Sequence, residues 1–173
     1  KGLIKVIDGL GGVYIDVDSE ELKHINNYQS TIVDDVLKTS YTKVTDTGSQ
    51  LLNGLQATAY CRIRYTKGDD FQRAARQREV LQAIEDQAKK ADLATLTRVF
   101  NDAVGDIYTS LDTETILELL AVIADYEIVD EAGFPQEDMR AVPNMGAKGS
   151  CVVPVDLESN VVWLHQFLFD DEE

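Results

Sequence analysis

Positive charge is scarce in this chain: 16 lysines and arginines stand against 31 aspartates and glutamates, for a formal net charge of −15. An acidic surface of this kind opposes nucleic-acid binding, which begins with a basic patch on the phosphate backbone. Cysteine is nearly absent. Cys61 and Cys151 are the only two, which neither build a disulfide framework nor provide metal-ligand spacing. No apolar run approaches the roughly 20 residues of a membrane span. Histidine is equally rare, and neither His24 nor His165 stands in a motif with a serine or cysteine nucleophile. The glycines do not form a phosphate loop either. Gly11 and Gly12 follow a helical pattern and precede a strand, the reverse of the order a nucleotide loop needs, and Gly146–Ser150 has the wrong spacing. Asp16, Asp18 and Glu20 alternate like calcium ligands but lack the glycine and distal glutamate of a calcium loop, so they read as a solvated strand end.

A hydrophobic content of 44% is enough for a core, and the length argues for a single domain over residues 1–173. Leu3, Ile4, Ile7 and Leu10 recur at helical spacing, Gly11 and Gly12 stop that helix, and Val13–Val17 alternates as a strand. His24–Ser49 is polar and reads as a surface excursion with a short helix at Ile32–Leu37. Gly48 and Gly54 then bracket Leu51–Leu52 on the approach to a helix from Asn53 to Tyr60. Asp92 caps a helix through Leu96, Val99 and Phe100, and Asp112 or Thr113 starts another with Ile116, Leu119, Leu120 and Ile123 on one face. Tyr126–Val129 and Ser150–Val153 read as strands, Leu157–Phe169 as a last helix in which Trp163, Phe167 and Leu168 pack, and Asp170–Glu173 as a solvated acidic end. Val13–Val17 is expected to share a sheet with the strands near the C-terminus.

The scarce cations are not spread evenly. Arg62, Arg64, Lys67, Arg73, Arg76 and Arg78 crowd into one short segment, and an acidic chain that gathers cations has an anion to hold there. From Arg73 onward a helical wheel puts Val80, Leu81, Ile84 and Ala88 on one apolar stripe. Arg73 and Gln77 fall on the same stripe, Arg76 at its edge, and Arg78 about 140° away from Arg73 toward solvent. Guanidinium suits phosphate or carboxylate because its planar fork offers paired donors and keeps its charge. If Cys61–Tyr65 is extended, Arg62 and Arg64 share a face; if it ends a helix, they diverge. The competing reading is a set of salt bridges with the neighbouring Asp69, Asp70, Glu79 and Glu85.

Leu52, Gly54, Ala57, Tyr60, Arg62 and Arg64, followed by Asp70, Phe71, Arg73, Arg76 and Gln77, form an L-x-G-x-x-A-x-x-Y-x-R-x-R block and then D-F-x-R-x-x-R-Q. This pattern resembles the LytR-CpsA-Psr family, and the helix, double glycine and strand of residues 1–18 resemble the family too. The resemblance implies an α/β fold with a central mixed sheet flanked by helices in α-β-α layers. It also implies that this chain is the C-terminal portion of the family's catalytic domain, a truncated one. In the family the preceding half carries the membrane anchor, the opening strands and the metal-binding aspartates.

The same resemblance implies transfer of a cell-wall glycopolymer, teichoic acid or capsule-like, from a polyprenyl-pyrophosphate carrier to peptidoglycan, at the outer face of the plasma membrane. In that reaction Arg73 and Arg76 would be catalytic. Arg62, Arg64, Arg73, Arg76 and Gln77 would bind the pyrophosphate, Asp70 would orient the arginines, and Mg2+ would be held by residues outside this chain. Preorganised cations are what phosphoryl transfer needs, since charge accumulates on its nonbridging and leaving oxygens. Two other classes stand beside this one: a module that binds polyprenyl phosphate without turnover, and an envelope-related transcriptional attenuator. The acidity of the chain and the inward Arg73 oppose the attenuator.

Overall fold

The alternation of Val13, Ile15 and Val17 with Tyr14 and Asp16 becomes β1 (Val13–Val17), with its three branched side chains buried and the other two facing water. The computed structural model describes residues 1–38, 40–64 and 69–169, so Lys67 and the acidic end Asp170–Glu173 lie outside the described residues. The chain divides into two compact units, Lys1–Ile128 and Val129–Glu173. In the first, α1 (Gly2–Gly9) precedes β1, and Gly11 and Gly12 turn the chain between them at φ of +89° and +101°. β1 pairs antiparallel with β2 (Gly48–Leu52), Val13 opposite Leu52 and Val17 opposite Gly48. Gly48–Leu52 is therefore a strand rather than the approach to a helix, and it takes the place expected of the C-terminal strands beside β1. Only Leu52 is buried along β2, which leaves no apolar alternation to betray it.

The polar stretch after β1 is also more ordered than its composition suggests. Ser19–Ile32 forms α2, opened by a capping box in which Asp18 accepts from the backbone of Glu20 and Glu21 while Glu21 accepts from the backbone of Asp18. Ile25, Gln29 and Ile32 are buried along one face at helical spacing, and Val33–Leu37 continues the chain as a π-helical turn. One of its asparagines is spent internally: the Asn26 amide donates to the Val44 carbonyl and accepts from the Val44 N–H, and Gln29 donates to Asn26. A surface excursion was expected from His24 onward. Instead, polar side chains there bond backbone and packed neighbours.

Helix α3 (Gly54–Tyr60), capped by Asn53 and Gln56, packs against α1 and α2. Helix α4 (Asp69–Ala88) lies over β1 and turns Arg76, Val80, Ala83 and Ala88 inward. Leu81 is 55% exposed, so the buried face is rotated from the stripe through Val80 and Leu81. Ile7, Val13, Ile15, Val17, Ile25, Leu52, Ile63 and Val80 form the innermost core. Helix α5 (Leu93–Ala103) is capped by Asp92 and buries Leu96, Val99 and Ala103, whereas α6 (Thr113–Ala121), capped by Asp112, buries no residue.

The second unit holds β3 (Arg140–Ala141) paired antiparallel with β4 (Val153–Pro154), then α7 (Leu157–Phe169). Tyr126–Val129 takes no strand conformation, and the strand expected at Ser150–Val153 begins three residues later. Asn160 is fully buried and accepts from the Gln136 N–H while donating to the Met139 carbonyl, tying α7 to the loop before it. Trp163 stacks on Phe167 at 5.4 Å, while Leu168 remains 55% exposed.

One contact between α1 and α3 is close enough to be decisive. A Cβ on Gly54 would stand 2.3 Å from the Ile4 carbonyl oxygen and 2.7 Å from Ile4 Cα. The Gly54 N–H is meanwhile held at 2.7 Å by the Asp8 carboxylate. Backbone cannot give way as a flexible side-chain end can. Gly54→Ala is expected to destabilise the protein by about 3 kcal/mol, the upper range for overpacking, read as a lowered midpoint in urea denaturation.

Candidate functional site

The chain leaves α3 through a tight turn. The Arg62 N–H donates to the Ala59 carbonyl and the Ile63 N–H to that of Tyr60, so residues 61–64 begin as the end of a helix. Ile63 is wholly buried, and its anchoring turns both neighbours outward. The Arg62 guanidinium lies over the Tyr28 ring of α2, 5.9 Å from its centroid. Arg64 goes the other way and donates to Asp70 Oδ2 at 2.9 Å. Arg73, one turn along α4, brings its Nε to 3.6 Å from Asp70 Oδ1. Asp70 thus lies within ion-pair distance of two guanidiniums. With side-chain exposures of 52% for Arg64, 49% for Asp70 and 38% for Arg73, this group is open to a ligand.

Arg76 belongs to a different layer. Its side chain is only 7% exposed, and its Nε meets Glu21 Oε1 at 2.7 Å, the glutamate being 9% exposed. It also donates to the Ile63 carbonyl at 3.4 Å and lies 5.9 Å from the Tyr60 ring centroid. Gln77, which is exposed, donates to the Cys61 carbonyl at 3.4 Å. The structure therefore gathers Arg64, Arg73, Arg76 and Gln77 around the turn at 61–64. Arg64 and Arg73 are at the surface beside Asp70, Arg76 lies beneath, and Arg62 stands apart on Tyr28. Arg78, expected in solvent, is half-buried.

Around the buried pair the side chains are electrostatically crowded, with Tyr60 buried and Glu79 at the surface above it. The Tyr60 hydroxyl donates to Glu79 Oε2 at 2.6 Å. Burial, joined by the charges of Glu21 and Asp16, raises the Glu79 pKa above the usual carboxylate range despite the Tyr60 hydrogen bond and the nearby Arg76. The Tyr60 hydroxyl is pushed up by burial first and by Glu79 second. Burial also pushes the Cys61 thiol up to about 11, which keeps it protonated and unreactive at neutral pH.

Nothing in the arginine motif points to Glu21. Its signal lies elsewhere, in the D-x-x-E spacing from Asp18 that marks a capping box. Among the described residues no group of three or more His, Cys, Asp or Glu side chains converges where a metal ion could be held. No helix among them is long and apolar enough to cross a membrane.

Fold and site together define a helix-rich α/β protein with clustered arginines where α3 passes into α4. Residues 1–156 match the LytR_cpsA_psr family, and the chain belongs to that family. Comparison with curated proteins finds no match. Among solved structures it is similar to protein gbs0355 from Streptococcus agalactiae, with 17% identity, a TM-score of 0.63, and coverage of 99% of this chain and 55% of that one. It is also similar to Lin1025 from Listeria innocua, with 20% identity, a TM-score of 0.54, and coverage of 99% and 64%. TagT from Bacillus subtilis is 25% identical over 70% of this chain and 40% of its own, with a TM-score of 0.48. The chain thus spans about two fifths to two thirds of the length of these structures.

A raised Glu79 pKa makes a signed prediction. The folded state binds this proton more tightly than the unfolded state, so ionised Glu79 costs stability above its folded pKa, and that cost vanishes below about 4.5. Glu79→Gln, which still accepts from the Tyr60 hydroxyl, is expected to melt higher than the parent protein at pH 7 and equally at pH 4. Thermal melts at the two pH values check both halves.

Proposed function

We propose that this protein binds the pyrophosphate of a polyprenyl-linked glycan through Arg64, Arg73 and Gln77. We further propose that it serves the transfer of that glycopolymer, teichoic acid or capsule-like, to peptidoglycan at the outer face of the plasma membrane. Family membership supports a role in cell-wall glycopolymer transfer. The observation that carries the local assignment is the pair of guanidiniums on Asp70. Two half-exposed cations, one from the R-x-R block and one from D-F-x-R-x-x-R-Q, share one carboxylate and leave a net positive charge facing water.

Catalysis here is positioning and charge stabilisation. Arg64 and Arg73 offer donors to nonbridging oxygens as charge builds on them, and Asp70 holds the two forks in place. Gln77 adds a neutral donor on the exposed side of α4. Magnesium, where the family uses it, would neutralise pyrophosphate charge. Binding without turnover is the second reading. Full-length protein incubated with carrier-linked glycan and a peptidoglycan acceptor separates the two, because only an enzyme yields polymer covalently joined to peptidoglycan.

The assignment is tested by comparing cations in different places. Arg73→Ala removes one charge-assisted phosphate contact and should weaken binding of a polyprenyl-pyrophosphate analogue by about tenfold to a hundredfold, or roughly 1.5–3 kcal/mol. Lys90→Ala removes the same formal charge from an exposed position just beyond α4 and should change affinity little at moderate salt. Equal losses for the two would leave only a general positive field, and the site would have to be abandoned.

A further inference from the structure

The inner layer has no task in phosphate binding as described so far. Arg76 is enclosed, and three of its contacts bear on the turn at 61–64. Its Nε is fixed at 2.7 Å to Glu21, its NH1 donates to the Ile63 carbonyl, and its guanidinium lies over Tyr60, the last residue of α3. Glu21 is not free to follow a displaced arginine, because its second oxygen accepts the Asp18 N–H at 3.0 Å. Tyr60 is held in turn by Glu79 of α4. The start of α2, the end of α3 and the middle of α4 are thus joined at one buried ion pair, and the turn so anchored carries Arg62 and Arg64 on either side of Ile63.

We propose that the buried Glu21–Arg76 pair is a positioning device that fixes the turn at 61–64 and so presents Arg64 to the phosphate without itself touching the ligand. This rests on the arginine assignment made above. It reverses the role that charge alone gives Arg76, for which Glu21 would be a competitor of the phosphate. The two roles predict opposite signs. If Arg76 contacts phosphate, removing the Glu21 charge tightens binding. If the pair positions the turn, removing that charge loosens binding although the protein becomes less negative.

Farnesyl pyrophosphate serves as the probe, titrated calorimetrically into full-length protein at moderate salt. Glu21→Gln, whose amide cannot accept both the Asp18 and Arg76 donors, is expected to bind more weakly than the parent. The double variant Glu21→Met/Arg76→Met replaces the pair with apolar side chains of similar volume, a change that buried ion pairs often tolerate in stability. It should melt near the parent temperature yet bind about tenfold more weakly, as expected when ligand-holding groups lose their position.

A second readout needs no ligand. Cys61 is 8% exposed, and releasing the turn should speed its alkylation by iodoacetamide relative to Cys151, followed by mass spectrometry of the same digest. Tighter binding by Glu21→Gln, parental affinity in the double variant, or an unchanged Cys61 rate each overturns the proposal. Should the double variant not fold, the direction of the Glu21→Gln effect decides alone. Arg73→Ala in the same titration keeps the two claims apart. No loss there removes the phosphate assignment, whereas loss there with parental affinity in the double variant removes only the positioning role.

Discussion

A single carboxylate holds this structure to its site. Glu21 spends one oxygen on the Asp18 N–H, closing the capping box that starts α2 directly after β1, and the other on Arg76 in the middle of α4. A charge taken this far out of water is tolerable only when its partner and its remaining lone pairs are satisfied, and here both conditions are met. Breaking such a pair by removing one member costs roughly 3–5 kcal/mol, a large share of a domain's net stability. Arg76 then bonds the Ile63 carbonyl, so the place where α2 begins is coupled through two side chains to the turn that displays Arg62 and Arg64.

The packing around that pair explains why α4 rotates from its apparent apolar stripe. Counting only apolar residues centres its face on Val80, Leu81 and Ile84. Arg76 adds to the buried side because Glu21 waits there, and the helix turns so that Arg76, Val80 and Ala83 line up inward while Leu81 is left in water. A polar interaction has overridden the hydrophobic periodicity. The same physics hid α2. Its inward positions include a fully buried Gln29, and its Asn26 satisfies both backbone groups of Val44, so a segment that looks solvated by composition is in fact held by specific hydrogen bonds. Strand β2 was illegible for another reason: with only Leu52 buried, its place is set by pairing with β1 and by nothing in its own alternation.

Where local chemistry and burial agree, the sequence was enough. The double glycine between α1 and β1, the caps at Asp92 and Asp112, and the limits of α7 stand as the residues predict. The α/β class holds as well, although the strands described here form only two antiparallel pairs. At the site, the cluster of arginines was visible because cations are rare in so acidic a chain. Their division into layers was not, since it depends on Glu21, more than 50 positions from Arg76 along the chain.

That division has a physical logic for the pyrophosphate binding proposed above. Exposed ion pairs are worth about 0–1 kcal/mol, so an incoming phosphate can draw Arg64 and Arg73 from Asp70 at small cost and give them back as easily. Drawing Arg76 from Glu21 would forfeit several times as much and leave a bare carboxylate in the interior. Guanidiniums close in sequence therefore differ in availability because of where their counter-charges sit. The carboxylate at the surface makes a reversible contact site, and the one in the interior makes a fixed frame.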